Sequence, residues 1–473
     1  MSYDSVPASA AGLDYARTVR RPVRGAVVEV VGRSPPVVLG GTTTDAGGAY
    51  SVTWTGTSAV SLRVKAQTLA PPLRVQDLGD ALYALDSGPV DATAATAVSL
   101  NAGSGWTGSS YGGPRSAGPF AILDALYSAA QAFLAVAPAT VFPELRANWS
   151  PGNVVGTYYD LVGHQLYVLG EADVDTDEYD THVVIHEWGH YYEDVLSRAD
   201  TPGGSHGLGD LKDPRLAFSE GWGDALGAMV LHPDDVYADT MGLRQTMGFE
   251  FSLESNAADD PSPGWWSEMS VAHALYDLFD PPSDADGDAV ALGFGPIHAA
   301  MVGAQRSTPA FTTLFSFADA LKAAQPAQAA AVDALLSARS VADPVRDAWG
   351  TGETHDGGWA ANLPVYTVLA VNGGGASVGF LPSADRNDLA SNRFLRFTGT
   401  GGTVTVTAGS AAVDVSLQVW RRGQVLGSAD AWLLGPETVS GLPTVAGEDY
   451  LVLVTGWETT GPGYSVPVAV TSP

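Results

Sequence analysis

The sequence predicts a multidomain chain, with a mixed α+β core in the middle and all-β sandwiches on both sides of it. Residues 13–100 and 375–473 alternate apolar and polar positions as half-buried strands do, for example Val404 and Val406 among Thr403, Thr405 and Thr407. Residues 115–360 instead place apolar side chains at helical spacing. At 473 residues there is room for several domains of about 100–200 residues each.

Composition excludes some functions. Hydrophobic residues make up 45% of the chain, enough for packed cores. Acidic residues number 52 against 23 basic ones, a net charge of −29, so nucleic acid is not an expected partner. There is no cysteine, which rules out disulfides, thiolate metal sites and cysteine catalysis. No apolar run approaches the roughly 18 residues of a membrane span, and none is expected. The start, MSYDSVPAS, has neither the basic nor the apolar part of a signal peptide.

In chain order, Ala26–Val31 reads as a strand, as do Tyr50, Val52 and Trp54 with their alternating neighbours, and Leu62 with Val64. Thr44-Asp-Ala-Gly-Gly-Ala-Tyr50 has turn chemistry. This run resembles the carboxypeptidase regulatory-like (transthyretin-like) sandwich, which implies a spacer or a docking domain. Residues 101–118, rich in glycine and serine, read as a linker or long loop. Phe120, Leu123, Leu126, Tyr127, Ala130, Phe133 and Leu134 then form the apolar stripe of a helix. Residues 141–149 and 165–169 look like strands. Residues 166–169 are a candidate edge strand for pairing with an extended peptide, and equally a core strand.

Glu171–Asp180 packs its carboxylates densely. Calcium suits such oxygen clusters, but the ordered spacing of a known calcium loop is missing, so a solvated acidic loop is expected. Asp284-Ala-Asp-Gly-Asp288 imitates the start of a calcium loop without its downstream glutamate.

The chemistry gathers in His186-Glu-Trp-Gly-His190. On a helix the two histidines lie one turn apart on one face, able to bind one zinc ion with Glu187 beside them. Val183, Val184 and Ile185 supply an apolar flank, and Asp180 or Thr181 can cap the start. Further on, Glu220-Gly-Trp-Gly-Asp224 reads as a second helix with both carboxylates on one face. Gly221, Gly223 and Gly227 each cost that helix about 1 kcal/mol relative to alanine, tolerable where another backbone passes close. Glu220 can supply a third metal ligand, and Asp224 can take the free ring N–H of His186.

These two segments resemble the gluzincin, thermolysin-like metallopeptidases, and Glu220–Asp224 is most similar to the fungalysin branch and its bacterial relatives. The resemblance covers residues 115–360. It implies His186, His190 and Glu220 as zinc ligands, Glu187 as general base, Asp224 behind His186, and an upstream sheet with a substrate-binding edge. Such enzymes place a histidine or tyrosine against the developing oxyanion. Near Trp265, where fungalysin-like enzymes carry that histidine, this chain has none, which leaves His273, His206, Tyr276 and Tyr158 as candidates. His182, one turn before His186, reads as a supporting or capping residue.

Residues 290–345 read as helical core, with Phe311, Leu314 and Phe315 in one stripe and Val332, Leu335 and Leu336 in another. His355 falls in a turn-rich loop. The last 99 positions, with Arg393–Phe397 and alternating strands at 403–407, 413–419, 450–454 and 464–470, resemble the prepeptidase C-terminal sandwich. That resemblance implies export or attachment, with cell-surface or matrix contacts through the sandwiches. The reading as a whole is a secreted or cell-surface zinc endopeptidase acting on protein or peptide. Its alternative is a surface adhesin or binding protein with a structural, non-catalytic zinc. Hydrolysis of another amide, as in peptidoglycan, fits the motif less well.

Overall fold

The computed structural model describes all residues except 35, 57–58, 92–95, 255–259, 282–288, 342–343 and 432–433. The Asp284–Asp288 motif therefore lies outside the described residues. The chain is multidomain and mixes helices with many sheets. It divides into two compact units, residues 1–195 with 226–252, and residues 196–225 with 253–473.

The first unit is built on an eight-stranded sheet. Its order runs Tyr158–Asp160, Gln165–Val168, Leu145–Trp149, Pro72–Gln76, Val60–Leu69, Ala26–Gly32, Val38–Thr43, with Ala84–Asp86 also paired to Val60–Leu69. Strands from either side of residues 101–118 thus share one sheet, because Pro72–Gln76 pairs in parallel with Leu145–Trp149. A boundary near residue 100 was expected from composition; hydrogen bonding carries the sheet across it. Residues 101–118 are correspondingly built in. Asn101–Ala102 is a strand, Trp106 stacks on Tyr15 with centroids 4.0 Å apart, and Arg115 is buried against Glu178. The Tyr50–Trp54 segment forms no strand, yet Tyr50, Val52 and Trp54 still cover the small core of Val30, Val60 and Leu62.

Helix α1, Gly118–Val136, packs on the strands Val60–Leu69 and Pro72–Gln76 and on helix α2, Thr181–Val195. By length and composition alone α1 is apolar enough to cross a membrane. Its apolar content is instead spent on the core, where Phe120, Ile122, Leu123, Leu126 and Phe133 are buried. The strand Gln165–Val168 is internal, paired on both sides; the edge is Tyr158–Asp160.

Helix α3, Pro214–Leu231, is cut by the division between Ala225 and Leu226. Its last part belongs to the first unit, with the hairpin Val236–Met241 and Met247–Ser252. There Gly227 faces α2. A β-carbon on it would lie 3.1 Å from the His182 ring and 3.5 Å from the His182 carbonyl oxygen. Close backbone approach is thus the reason for this glycine.

The second unit contains the start of α3, then α4 (Glu268–Asp277), α5 (Phe294–Ala300), α6 (Leu314–Ala324) and α7 (Ala329–Ala338). A β-sandwich follows. One sheet orders Tyr366–Val368, Asn392–Thr398, Asp449–Gly456, Val415–Arg421 and Gln424–Ala429; the other orders Ala376–Phe380, Tyr464–Thr471, Thr403–Ala408 and Glu437–Pro443. Phe380, Leu395, Val406, Leu417, Val452 and Val466 are among its core residues, the inward members of the alternation.

This sandwich holds the start of α3 in place. Asn392 donates to Asp213 (2.8 Å), and Arg215 grips the same carboxylate through two nitrogens at 2.9 and 2.8 Å. The Arg215 guanidinium lies over Phe311 and Phe394, 4.7 and 5.0 Å from their ring centres. A sandwich expected as an appendage is here part of the support for Glu220's helix.

Candidate functional site

Helix α2 sets His186 and His190 one turn apart, and their Nε2 atoms are 3.1 Å from each other. The rings cross at 82° with centroids 4.9 Å apart. Two nitrogens on one tetrahedral zinc, each about 2.0–2.1 Å from it, would be roughly 3.4 Å apart. The pair therefore has the spacing of two ligands to one ion. Val183, Val184 and Ile185 are buried and fix the helix's rotation. The expected cap differs. Asp180 gives its carbonyl to the Val184 N–H, but its carboxylate turns to Thr240.

Glu187 is almost fully buried, and its Oε2 accepts the Tyr159 N–H at 2.8 Å. Tyr159 sits on the edge strand, and its hydroxyl donates to Asp194 at 2.6 Å. The glutamate of the motif is thus tied by backbone to the strand at the end of the sheet. On the other side, Glu193 Oε2 lies 3.7 Å from His190 Nδ1, and Glu193 is fully buried. A carboxylate so placed can hold the tautomer of a ligating histidine. Sequence reading missed Glu193 and Asp194; their three- and four-residue spacing from His190 was the available signal. His182 is buried, with its ring centre 5.7 Å from that of Tyr237.

In the second unit, Glu220 and Asp224 are both buried, one turn apart on α3. A β-carbon on Gly221 would sit 2.6 Å from the Glu268 carbonyl oxygen and from Val271, so α4 is the close neighbour there. His206 Nδ1 bonds Glu268 Oε2 at 2.8 Å, and His206 Nε2 lies 3.5 Å from Glu220 Oε2. Burial raises the Glu268 carboxyl above its ordinary range, and the charges of Asp224 and Glu220 add to this while His206 opposes it. The His206 loop is pinned by Asn387, whose amide donates to the carbonyls of Gly203 (3.0 Å) and Ser205 (2.8 Å). His273 and Tyr276 are fully buried on α4. Tyr158 is exposed and stacks on Tyr167 with centroids 5.0 Å apart.

The acidic stretch before α2 is solvated only in its first half, where Asp173 and Val174 are exposed. Asp177, Glu178 and Asp180 are all buried. Glu178 is paired with Arg115, Asp180 with Thr240, and Asp177 with Thr157. The charge density suggested solvent; side-chain partners from distant segments keep it inside.

The Mycolysin C-terminal domain family matches residues 137–336, fewer than half of the chain and including both motif helices. No curated protein matches. Among solved structures, the pre-peptidase C-terminal domain of collagenase from Bacillus anthracis is similar at 8% identity, over 22% of this chain and 93% of that one, with a TM-score of 0.17. PliG of Aeromonas hydrophila, a periplasmic inhibitor of g-type lysozyme, is similar at 16% identity over 22% of this chain and 96% of its own, with a TM-score of 0.16. Scores this low carry no structural argument. The family match gives residues 137–336 a protease-related context.

Proposed function

We propose that this chain is a zinc-dependent endopeptidase, secreted or held at a cell surface, with His186, His190 and Glu220 as the metal ligands. One observation carries the reading: the Nε2 atoms of His186 and His190, one turn apart on α2, lie 3.1 Å from each other, the spacing of two ligands to one ion. Two imidazoles and one carboxylate are the donor set of a catalytic zinc that keeps a position open. A bound zinc would supply a Lewis acid for the scissile carbonyl and lower the pKa of water to about 7.

The chain's own residues do the rest. Glu187, fixed through Oε2 by the Tyr159 N–H, takes the proton of the attacking water and returns it to the leaving amine nitrogen. The edge strand Tyr158–Asp160 offers backbone groups to an extended peptide. His206, oriented by Glu268, donates towards the oxygen that gains charge. Glu193 and Asp224 orient the two ring systems.

The test is hydrolysis of a casein-type substrate with and without a zinc chelator. Activity that persists in metal-free Glu187→Gln protein would rule the proposal out.

A second reading rests on His206, whose Nε2 is 3.5 Å from Glu220. If His206 completes the ligand set, the zinc is closed and structural, and the protein is a surface adhesin or binding module. His206→Ala separates the two. The enzyme keeps its zinc and loses turnover, whereas the closed site loses zinc.

A further inference from the structure

Just before α2, three carboxylates meet. One oxygen each of Asp177, Asp180 and Asp239 lies within 4.8 Å of the other two. Asp177 and Asp180 come from the acidic stretch, Asp239 from the hairpin strand Val236–Met241. Asp177 is 4% and Asp180 0% exposed. Asp180 is satisfied by the N–H and hydroxyl of Thr240. Asp177 binds the Thr157 hydroxyl with Oδ2, while its Oδ1 is fully buried and accepts no hydrogen bond. A buried anionic oxygen left in that state is costly.

No positive side chain neutralises the group. Among the described residues no lysine or arginine pairs with any of the three. Arg115 is committed to Glu178, and Arg244 reaches only Asp173, at 3.8 Å. Burial pushes all three carboxyls upwards, and repulsion between them adds to it; Asp239 is raised to about 7. Asp175 contributes a further negative charge beside Asp177 and Asp239, and His186 opposes the rise at Asp239. Such a group folds either protonated or around a cation. Its donors are all oxygen, which suits a hard divalent ion with six to eight oxygen ligands, and suits zinc poorly.

We infer that Asp177, Asp180 and Asp239 bind a calcium ion that ties the entry of α2 to the hairpin strand. Asp177 Oδ1 supplies the ligand that has no other use in the fold, and water with Asp175 can complete the shell. The inference is independent of any activity of the histidine pair.

The experiment titrates calcium into calcium-stripped, zinc-loaded full-length protein by calorimetry, with elemental analysis of zinc before and after. The wild type should take up one calcium per chain. Asp177→Asn should bind at least about tenfold more weakly at unchanged zinc content. Asp239→Asn, at a half-buried position where a folding defect is less to be expected, should lose the calcium-induced rise in melting temperature. No stoichiometric uptake by the wild type, or an equal calcium response in Asp239→Asn, would overturn the inference.

Discussion

The histidine pair on α2 and the aspartate trio just before it are built from opposite materials. His186 and His190 stand one turn apart on a single helix, so their spacing is set by local geometry alone. Asp177, Asp180 and Asp239 meet only because a hairpin strand comes back beside the start of that helix. Nitrogen donors are neutral when they bind and can be half-buried without a counter-ion. Buried carboxylates cannot be left charged without one. The first group therefore folds without a counter-ion, and the second makes the fold itself depend on an ion or on protons.

The sharpest separation comes from single substitutions. Glu187→Gln should reduce turnover by about 10²–10⁴-fold, the usual contribution of a general base, with both metals retained. His190→Ala should abolish zinc binding but leave calcium uptake intact, while Asp177→Asn should do the reverse. Metal analysis of both variants checks this, and loss of both ions in either one would break the distinction.

Removing Arg115 tests the trio's neighbour. Glu178 would be left buried without its partner, so Arg115→Ala should destabilise the protein by about 3–5 kcal/mol in a denaturant titration.

A pH series is the next probe. The three aspartates are raised in the folded state, so without a divalent ion folding is strongest below the ordinary carboxyl range near 4. That contribution then falls as the pH rises towards about 7, the Asp239 value. Calcium should remove this loss. Melting curves from pH 4 to 7 that are the same with and without calcium would count against the ion.

The smallest effect is expected at Asn387, where Ala should loosen the His206 loop and lower kcat/KM a few-fold without changing either metal. Steady-state kinetics with metal analysis would show it.

Much of the architecture was legible in the chain. Alternation marked the strands Ala26–Gly32, Thr403–Ala408 and Tyr464–Thr471, and helical spacing marked α1. The glycines of α3 announced close neighbours, and Gly221 and Gly227 have them in α4 and α2. Other features were hidden because local pattern does not encode partners. Tyr50, Val52 and Trp54 alternate like a strand yet pair with none. The eight-stranded sheet ignores the compositional break at 101–118. Residues 166–169 look the same whether internal or at an edge, since that difference lies in which neighbour bonds to them.

The sequence by itself determined where two imidazoles and a glutamate share one helical face, because 3.6 residues per turn leaves no alternative at that spacing. It also determined that cysteine chemistry is absent, since the chain has no cysteine. Only the tertiary structure decided that residues 176–180 before α2 are buried and that His206 stands beside Glu220. It likewise decided that the C-terminal sandwich grips the start of α3 through Asp213 and Arg215. Each of those rests on contacts between residues far apart in the chain, and the energy of such contacts exists only after the backbone has brought them together.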